Sequence, residues 1–275
     1  MKPSALLSMF VVVGLGTCGA SRAAAAAESP AGPPLRVMTF NLRFGSTNSP
    51  NSWAERRPVM KACWRAISPD LAGTQEGLYP QLKELAADLP AYDWVGLGRD
   101  GGSRGEFMAV FYRKARFEPV EFDHYWLSDT PNVIASTNWG NTNRRMVTWV
   151  RFRDRRVGRE FYFVNTHLVH AVAAARDKGA RLIRQRVQAL NPNLPVLLVG
   201  DFNAEPGREP TYDVLVGDGF FRDAWTAAPV RRGEGLETFH NFNGAVRGPW
   251  RIDWILLRGP WRVEQAEVVV FSRKG

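Results

Sequence analysis

Five polar residues that could bind a cation or an oxyanion stand at or just after the ends of apolar, strand-like runs of this chain. They are Asn41, Glu76, His167, Asp201 and Asn203. Carboxylate and amide oxygens are ligands that a hard cation such as Mg²⁺ prefers, and histidine and asparagine N–H groups can donate to an oxyanion. Because binding and catalytic side chains often lie where strands end, this set predicts a site for a cation and a phosphate-like group.

Each of these residues also has an ordinary structural explanation when it is taken alone. Asn41 could form a turn, because asparagine often follows a strand, and Glu76 could be a solvated surface carboxylate. His167 could cap a strand or pack at the edge of the core. Asp201 could be a turn aspartate, although residues 196–200 before it are almost wholly apolar. The functional interpretation therefore depends on the whole set.

Two further residues extend the set without completing a known metal motif. Asp253 stands between Ile252 and Trp254 in an apolar strand-like run. Charged residues are rare in such strands unless they are paired, so Asp253 predicts a partner, most naturally a histidine. His170 follows His167 by three residues, but without a cysteine or a nearby glutamate this spacing is weak evidence of a zinc site.

The elements that position these residues can be predicted from apolar periodicity. Strands are predicted at residues 35–42, 71–74, 94–98, 107–112, 117–126, 146–153, 160–166, 195–200, 252–257 and 263–271. Helices are predicted at residues 53–67, 79–89, 171–190 and 212–216. Nearly continuous apolar strands imply burial on both faces, and the sequence has no internal repeat. We therefore expect one α/β domain in which two packed sheets have helices on the outside.

The first residues have the pattern of a signal peptide. Lys2 is followed by an apolar run at residues 5–16, which is short for a membrane span, and then by small residues at 20–27. The expected division is a signal peptide at 1–27, a linker at 28–34 and one domain at 35–275. We therefore expect export to the periplasm or the medium. An anchoring helix is the alternative for the apolar run, and a lipoprotein site at Cys18 is a minor one.

The composition is that of an ordinary soluble domain, with 45% hydrophobic and 23% charged residues. The formal net charge of +9 weakly favours polyanionic or phosphate-bearing partners. Removal of the signal peptide would leave Cys63 as the one cysteine, so no internal disulfide is expected. Cys63 lies in an amphipathic helical stretch and is interpreted as a small buried residue rather than a nucleophile.

Five short motifs, in this order, resemble the endonuclease/exonuclease/phosphatase superfamily, which has the deoxyribonuclease-I-like fold. They are Thr39-Phe40-Asn41-Leu42, Gln75-Glu76, Asn165-Thr166-His167-Leu168, Gly200-Asp201-Phe202-Asn203 and Arg251-Ile252-Asp253-Trp254. Residues 126–131, 145–149 and 238–240 further resemble a bacterial branch of that superfamily. The resemblance covers residues 35–271. It implies a four-layer α/β sandwich, two mixed β-sheets flanked by helices, that hydrolyses phosphoester bonds with Mg²⁺ or Mn²⁺.

The resemblance also implies a role for each motif residue. Asn41 and Glu76 would ligate or approach the metal, and His167 would contact the scissile phosphate. Asp201 would align or activate the attacking water, and Asn203 would bind phosphate.

Four more residues receive roles from the same resemblance. Asp253 matches the family aspartate that hydrogen-bonds the catalytic histidine and holds its orientation. Arg145 would contact phosphate, a task suited to the planar guanidinium. His170 and His240 are substrate-binding candidates, with His170 at the rim of the site.

The sequence departs from the family pattern at its end. That pattern continues past the strand at 263–271 into a Ser-Asp-His motif and a final strand, whereas residues 272–275 contain neither Asp nor His. We therefore expect the last strand to be missing and the activity of this chain to be impaired. The alternative is a non-catalytic binding protein that retains the fold.

The expected partner is a phosphoester substrate, which the sequence leaves open among three classes: nucleic acid, a phospholipid headgroup and a small phosphate ester. The motif residues handle the phosphate rather than the leaving group, so they do not choose among these classes. No stable protein partner is implied, and a monomer is expected.

Overall fold

A computed structural model describes residues 5–11 and 34–272 of the chain. Its strands are β1 (Ala5–Val11), β2 (Val37–Asn41), β3 (Leu71–Gln75), β4 (Gly77–Leu78), β5 (Tyr92–Val95), β6 (Glu106–Phe107), β7 (Val110–Arg113), β8 (Phe117–Trp126), β9 (Met146–Asp154), β10 (Arg159–His167), β11 (Val196–Asp201), β12 (Arg222–Asp223), β13 (Val230–Arg232), β14 (Asp253–Arg258) and β15 (Gln265–Ser272). Its helices are α1 (Trp53–Ile67), α2 (Tyr79–Asp88), α3 (Ala173–Gln188), α4 (Pro210–Val216) and α5 (Ala224–Ala227). None of the helices in these residues is long and apolar enough to cross a bilayer.

The described strands form two large mixed sheets and a small ribbon. The first sheet has seven strands in the order β13-β15-β1-β2-β3-β7-β5, with β2 parallel to β3. The second sheet has six strands in the order β12-β14-β11-β10-β9-β8, with β10 parallel to β11. The ribbon pairs β4 with β6. In both large sheets a parallel pair, β2 with β3 or β10 with β11, lies in the interior and is flanked by antiparallel strands. In the first sheet β13 is also parallel to β15, at one edge.

Apolar side chains pack in clusters that define four layers. The central cluster lies between the sheets and includes Val37 and Leu71 of the first sheet and Phe163 and Leu197 of the second. A further cluster, which contains Trp64, joins α1 and α2 to the outer face of the first sheet. Another joins α3 and α4 to the outer face of the second sheet. The predicted four-layer α/β sandwich is therefore confirmed.

Helix α1 begins and ends at the predicted residues because local signals mark both ends. The side chain of Ser52 accepts from the Glu55 N–H, and the Glu55 carboxylate accepts from the Ser52 N–H, which forms a capping box. The helix ends at Ser68, which has a left-handed φ of 56°. Cys63 is buried in this helix, and burial raises its pKa to about 12. The prediction that Cys63 is a small buried residue is therefore confirmed.

The predicted strand at residues 107–112 is divided in the structure. Residues 106–107 form β6 and pair with the ribbon strand β4. Residues 110–113 form β7 and pair with β3 and β5 of the first sheet. The division follows from these different partners, which an apolar run alone does not distinguish.

A buried polar bridge crosses the core between the two sheets. Asn165 of β10 donates through Nδ2 to the carbonyl oxygens of Thr74 at 2.9 Å and Ala109 at 3.0 Å. Its Oδ1 accepts from Gln75 Nε2 at 2.8 Å. All four residues are buried. An unpaired buried amide destabilises a protein. The bridge therefore favours the packing of the two sheets that brings the ends of β3 and β10 together.

Strand β1 has an interior place in the first sheet, between β15 and β2. Its backbone pairs with β15 from Ala5 with Ser272 to Phe10 with Glu267, so β15 is not an edge of the described sheet. The strand falls inside the segment predicted as a signal peptide. Residues 1–4 and 12–33, which include the expected cleavage sites, lie outside the described residues. The export segment therefore stays a prediction.

Candidate active site

The strand pairing brings the predicted residues to one end of the sandwich. Asn41 and Gln75 are partners at the ends of β2 and β3, and Glu76 follows Gln75 directly. His167 and Asp201 are partners at the ends of the parallel strands β10 and β11. Strand β14 runs antiparallel to β11, so its first residue, Asp253, pairs with Asp201. Residues from distant parts of the sequence therefore meet.

These residues line a cleft of about 670 Å³. All the residues predicted for the site belong to its lining: Asn41, Glu76, Arg145, His167, His170, Asp201, Asn203, His240 and Asp253. The lining also contains residues that the sequence analysis missed: Arg43, Arg99, Glu106, Asn143, Arg176, Glu205, Glu209, Phe239 and Phe242. Apart from Phe239, these residues lie outside the motifs, and a charged residue taken alone is usually solvated.

Asn41 holds two carboxylates together on the floor of the cleft. Its Nδ2 donates to Glu76 Oε1 at 2.8 Å and to Asp201 Oδ2 at 3.0 Å. Its Oδ1 accepts from the Arg43 backbone N–H at 2.8 Å, which fixes the orientation of the amide. Glu76 Oε2 accepts from the Phe44 N–H at 3.1 Å. Asn41 therefore orients the two carboxylates, and ligation of a metal by its own oxygen stays a prediction.

Burial opposes the ionisation of the carboxyl groups at this end of the sandwich. Burial, reinforced by the charge of Glu76, raises the pKa of Asp201 to about 6. Burial and then the charge of Asp201 raise the pKa of Asp253 well above its usual range. A divalent cation would offset this repulsion, because buried charges need a partner and hard cations prefer carboxylate oxygens. The donors of Glu76 and Asp201 therefore fit Mg²⁺ or Mn²⁺.

His167 is held as a neutral imidazole with a defined tautomer. Arg145 Nη1 lies 2.8 Å from His167 Nδ1. A guanidinium can only donate, so Nδ1 accepts and the proton is on Nε2. Burial and the charge of Arg145 lower the pKa of His167 well below its usual range. The Nε2 atom lies 3.7 Å from Asp201 Oδ2.

The tautomer of His167 bears on which residues could hold a cation. Ligand atoms of Glu76, His167 and Asp201 all lie within 4.8 Å of one another. A protonated Nε2 has no lone pair to offer, and Nδ1 already accepts from Arg145. The two carboxylates could therefore hold a cation, and His167 could donate a hydrogen bond to a bound group.

Asn203 and Asp253 are held beside this group by polar contacts. The Asn203 N–H donates to Asp201 Oδ1 at 3.0 Å, and its Nδ2 donates to the Leu168 carbonyl at 3.0 Å. Asn203 has a φ of 49°, a left-handed conformation that asparagine tolerates better than most residues. The Asp253 N–H donates to Thr238 Oγ1 at 3.2 Å. The predicted histidine partner of Asp253 remains untested.

The remaining predicted residues also border the cleft. Arg145 is buried, and its Nη1 lies 3.9 Å from Glu106. Glu106 is paired in turn with Arg99 at 2.6 Å. Arg145 thus contacts His167 directly, while its predicted contact with phosphate stays a prediction. His170 and His240 line the cleft, and their roles in substrate binding stay predictions.

A family model described as "Endonuclease/Exonuclease/phosphatase family" matches residues 38–273. A solved mannosyl-6-phosphatase of Bacteroides thetaiotaomicron is 32% identical, with a TM-score of 0.82, over 87% of this chain and 95% of that chain. A solved endonuclease/exonuclease/phosphatase of Bacteroides vulgatus is 31% identical, with a TM-score of 0.80, over 85% of this chain and 90% of that chain. The α/β sandwich is therefore shared with proteins of similar length.

Two curated proteins of Drosophila melanogaster are also similar to parts of the chain. Nocturnin is 32% identical over 73% of this chain and 33% of its own length. Protein angel is 25% identical over 60% of this chain and 48% of its own length. The chain thus spans about a third to a half of the curated relatives that it matches.

Proposed function

Because this chain belongs to the endonuclease/exonuclease/phosphatase family, we propose that it hydrolyses phosphoester bonds with a bound divalent cation, Mg²⁺ or Mn²⁺. One observation carries the proposal. The carboxylates of Glu76 and Asp201 share the Nδ2 donor of Asn41 and lie beside the neutral His167. Two carboxylates on one amide donor repel each other, and the fold alone does not require this arrangement in a cleft.

The described side chains suit the steps of this reaction. A cation held by Glu76 and Asp201 would neutralise phosphoryl charge and polarise the attacking water. His167 would donate from Nε2–H to a phosphoryl oxygen, since its Nδ1 already accepts from Arg145. Asp201 would orient the water and accept its proton as the new P–O bond forms and the ester P–O bond breaks, and the departing oxygen would take a proton from solvent. Asn203, which is bonded to Asp201, would donate from its amide to another phosphoryl oxygen.

The similarity to a mannosyl-6-phosphatase supports a small phosphate ester as the substrate. That protein is 32% identical over 87% of this chain. A small ester also fits a cleft of about 670 Å³. Faster turnover of the phosphodiester than of the phosphomonoester in the assay below would instead favour nucleic acid or phospholipid headgroups, the other classes left open by the sequence.

The test is hydrolysis of p-nitrophenyl phosphate and bis-p-nitrophenyl phosphate by the 275-residue chain after EDTA treatment, with and without restored Mg²⁺ or Mn²⁺. We expect turnover only with the cation. Asp201→Asn should lower kcat by about 10²- to 10⁴-fold, the usual effect of losing a group that moves a proton. Asp218→Asn is the control and should leave kcat unchanged, since Asp218 is exposed and bonded to Arg184.

Two results would contradict the proposal. One is turnover that survives EDTA, and the other is turnover that Asp201→Asn does not lower. If the chain binds Mn²⁺ in calorimetry but hydrolyses neither ester, it is a binding protein that retains the fold.

We also propose that the chain is exported as a monomer, with residues 1–27 removed as a signal peptide. The positive start at Lys2, the apolar run at 5–16 and the small residues at 20–27 support this proposal. Such cleavage would remove β1 from the first sheet. N-terminal sequencing of protein from the periplasm and the medium tests the cleavage, and light scattering after size exclusion tests the monomer. Cytoplasmic protein that retains Met1 would contradict export.

A further inference from the structure

Part of the cleft lining is an aromatic wall, formed by Phe239, Phe242 and Trp250 from the segment between β13 and β14. Trp250 is 51% exposed. Its ring stacks on Phe239 with a centroid distance of 5.9 Å and an interplanar angle of 29°. The Arg43 guanidinium lies over Phe242 at 4.7 Å and over Phe239 at 5.6 Å. A supported but half-exposed indole ring offers a rigid surface to the apolar face of a ligand ring.

A second part of the lining, called the acidic lining, consists of Glu205 and Glu209. Each carboxylate is held by an arginine through one oxygen, Glu205 by Arg208 at 3.0 Å and Glu209 by Arg176. Arg176 is fixed in turn by the His170 carbonyl at 2.7 Å. Each carboxylate therefore keeps a second oxygen that can accept a hydroxyl hydrogen.

The charge of the cleft differs from that of the whole chain. The formal net charge of the chain is +9, but the cleft is lined by four arginines and six carboxyl groups. Arg43 lies against aromatic rings, and Arg145 and Arg176 are engaged with other lining residues. A nucleic acid is bound by basic side chains at successive phosphates. This lining instead suits a single phosphate on an otherwise uncharged molecule.

We infer that the aromatic wall and the acidic lining form a subsite for the leaving group, a neutral, polyhydroxylated ring such as that of a hexose phosphate. The inference rests on the proposed phosphoester hydrolysis, because it places the phosphate of the same molecule beside Asp201 and His167. The C–H face of the ring lies on Trp250, and its hydroxyl groups donate to Glu205 and Glu209. The subsite selects which ester is hydrolysed.

The test compares a cyclic ester, glucose 6-phosphate, with an acyclic one, glycerol 3-phosphate, on the full chain with Mg²⁺. Trp250→Ala should raise KM for glucose 6-phosphate by about 3- to 10-fold, the equivalent of one aromatic contact, and should change kcat/KM for glycerol 3-phosphate by less than about twofold. Trp250→Phe, which keeps an aromatic face, should recover most of the loss. Phe122→Ala is the matched control, because Phe122 is 55% exposed on β8 and should affect neither ester.

Equal losses on both esters would overturn the inference. So would faster turnover of a dinucleotide or of glycerophosphocholine than of glucose 6-phosphate. Failure of the proposed function can be told apart from failure of the subsite. If the proposed function is wrong, the wild type does not hydrolyse p-nitrophenyl phosphate. In that case calorimetry with glucose 6-phosphate decides. A Kd that Trp250→Ala weakens supports the subsite, whereas an unchanged Kd or no binding overturns it.

Discussion

The contact between Arg145 and His167 determines which proton the cleft can donate. Because an arginine cannot accept a hydrogen bond, the imidazole keeps its proton on Nε2 and stays neutral. Arg145 directly precedes β9 and His167 ends β10, and the antiparallel pairing of these strands brings the two residues to a distance of 2.8 Å. In the proposed reaction Arg145 would therefore be a positioning residue that acts on the substrate through His167.

Arg145→Gln is expected to raise the pKa of His167, because the charge of Arg145 is, after burial, the largest influence that lowers it. The measurement is an NMR titration of the His167 ring in the EDTA-treated protein. Arg144→Gln is the matched control, since Arg144 is exposed and paired with Asp100. Identical titration of His167 in the wild type and in Arg145→Gln would show that the assigned contact is wrong.

The strand-end residues could be predicted from the sequence because an apolar run followed by a polar residue is a local pattern. Asp201 after residues 196–200 is the clearest example. The partner of His167 could not be predicted, because Arg145 is 22 positions away and the contact depends on strand register. The place of Trp250, half-exposed in the cleft lining, could not be predicted either, since the folding of its loop against Arg43 leaves no local signal.

At the scale of the elements, strand β3 meets the second sheet through a residue without a side chain. A Cβ atom at Gly73 would lie 2.4 Å from Val199 Cγ2 and 2.7 Å from Asn165 Oδ1. The glycine therefore allows the polar bridge of Asn165 and Gln75 to form between the sheets. The same bridge fixes the strand end that carries Glu76.

Gly73→Ala is expected to destabilise the protein by about 1–3 kcal/mol, the usual cost of overpacking a core. Gly179→Ala is the matched control, because Gly179 lies inside α3 and its Cβ would only touch Leu168 and Leu127 at 3.3 and 3.4 Å. Alanine also favours a helix over glycine by about 1 kcal/mol. Urea unfolding should show a loss for the first variant and little change or a gain for the second. If Gly73→Ala were as stable as the wild type, this account of the packing would be wrong.

Long elements could be predicted because their signals lie within them. Helix α1 has a capping box before it, and β8 has the predicted bounds, residues 117–126. The strands β12 and β13 have two and three residues, too few to show a period. Such short pieces owe their conformation to the neighbouring strands with which they pair.

At the scale of the whole molecule, His124 makes stability depend on pH. Burial lowers the pKa of His124 to about 4 from an ordinary value of 6.5. The unfolded chain therefore binds this proton first as the pH falls. The contribution of the neutral His124 to stability is fully present above pH 6.5 and is lost as the pH falls towards about 4.

The free energy of unfolding of the wild type should accordingly fall more than that of His124→Asn between about pH 7 and pH 4. Urea unfolding at several pH values measures the difference between the two proteins. A difference that does not change with pH would contradict the burial of a neutral His124. The comparison at high pH is the control. His124 is neutral there, so any difference in stability between the wild type and His124→Asn comes from side-chain packing.

The floor of the cleft is assembled from both halves of the sandwich. Asn41 ends a strand of the first sheet, Glu76 follows another, and Asp201 ends a strand of the second sheet. An ion between Glu76 and Asp201 would cross-link the halves, and a ligand that binds only the folded chain adds about 2.7 kcal/mol at a hundred times its Kd. The Tm of the wild type should then rise with Mn²⁺, and that of Glu76→Gln should not. The supply of free cation around the protein would govern its resistance to proteolysis as well as its chemistry.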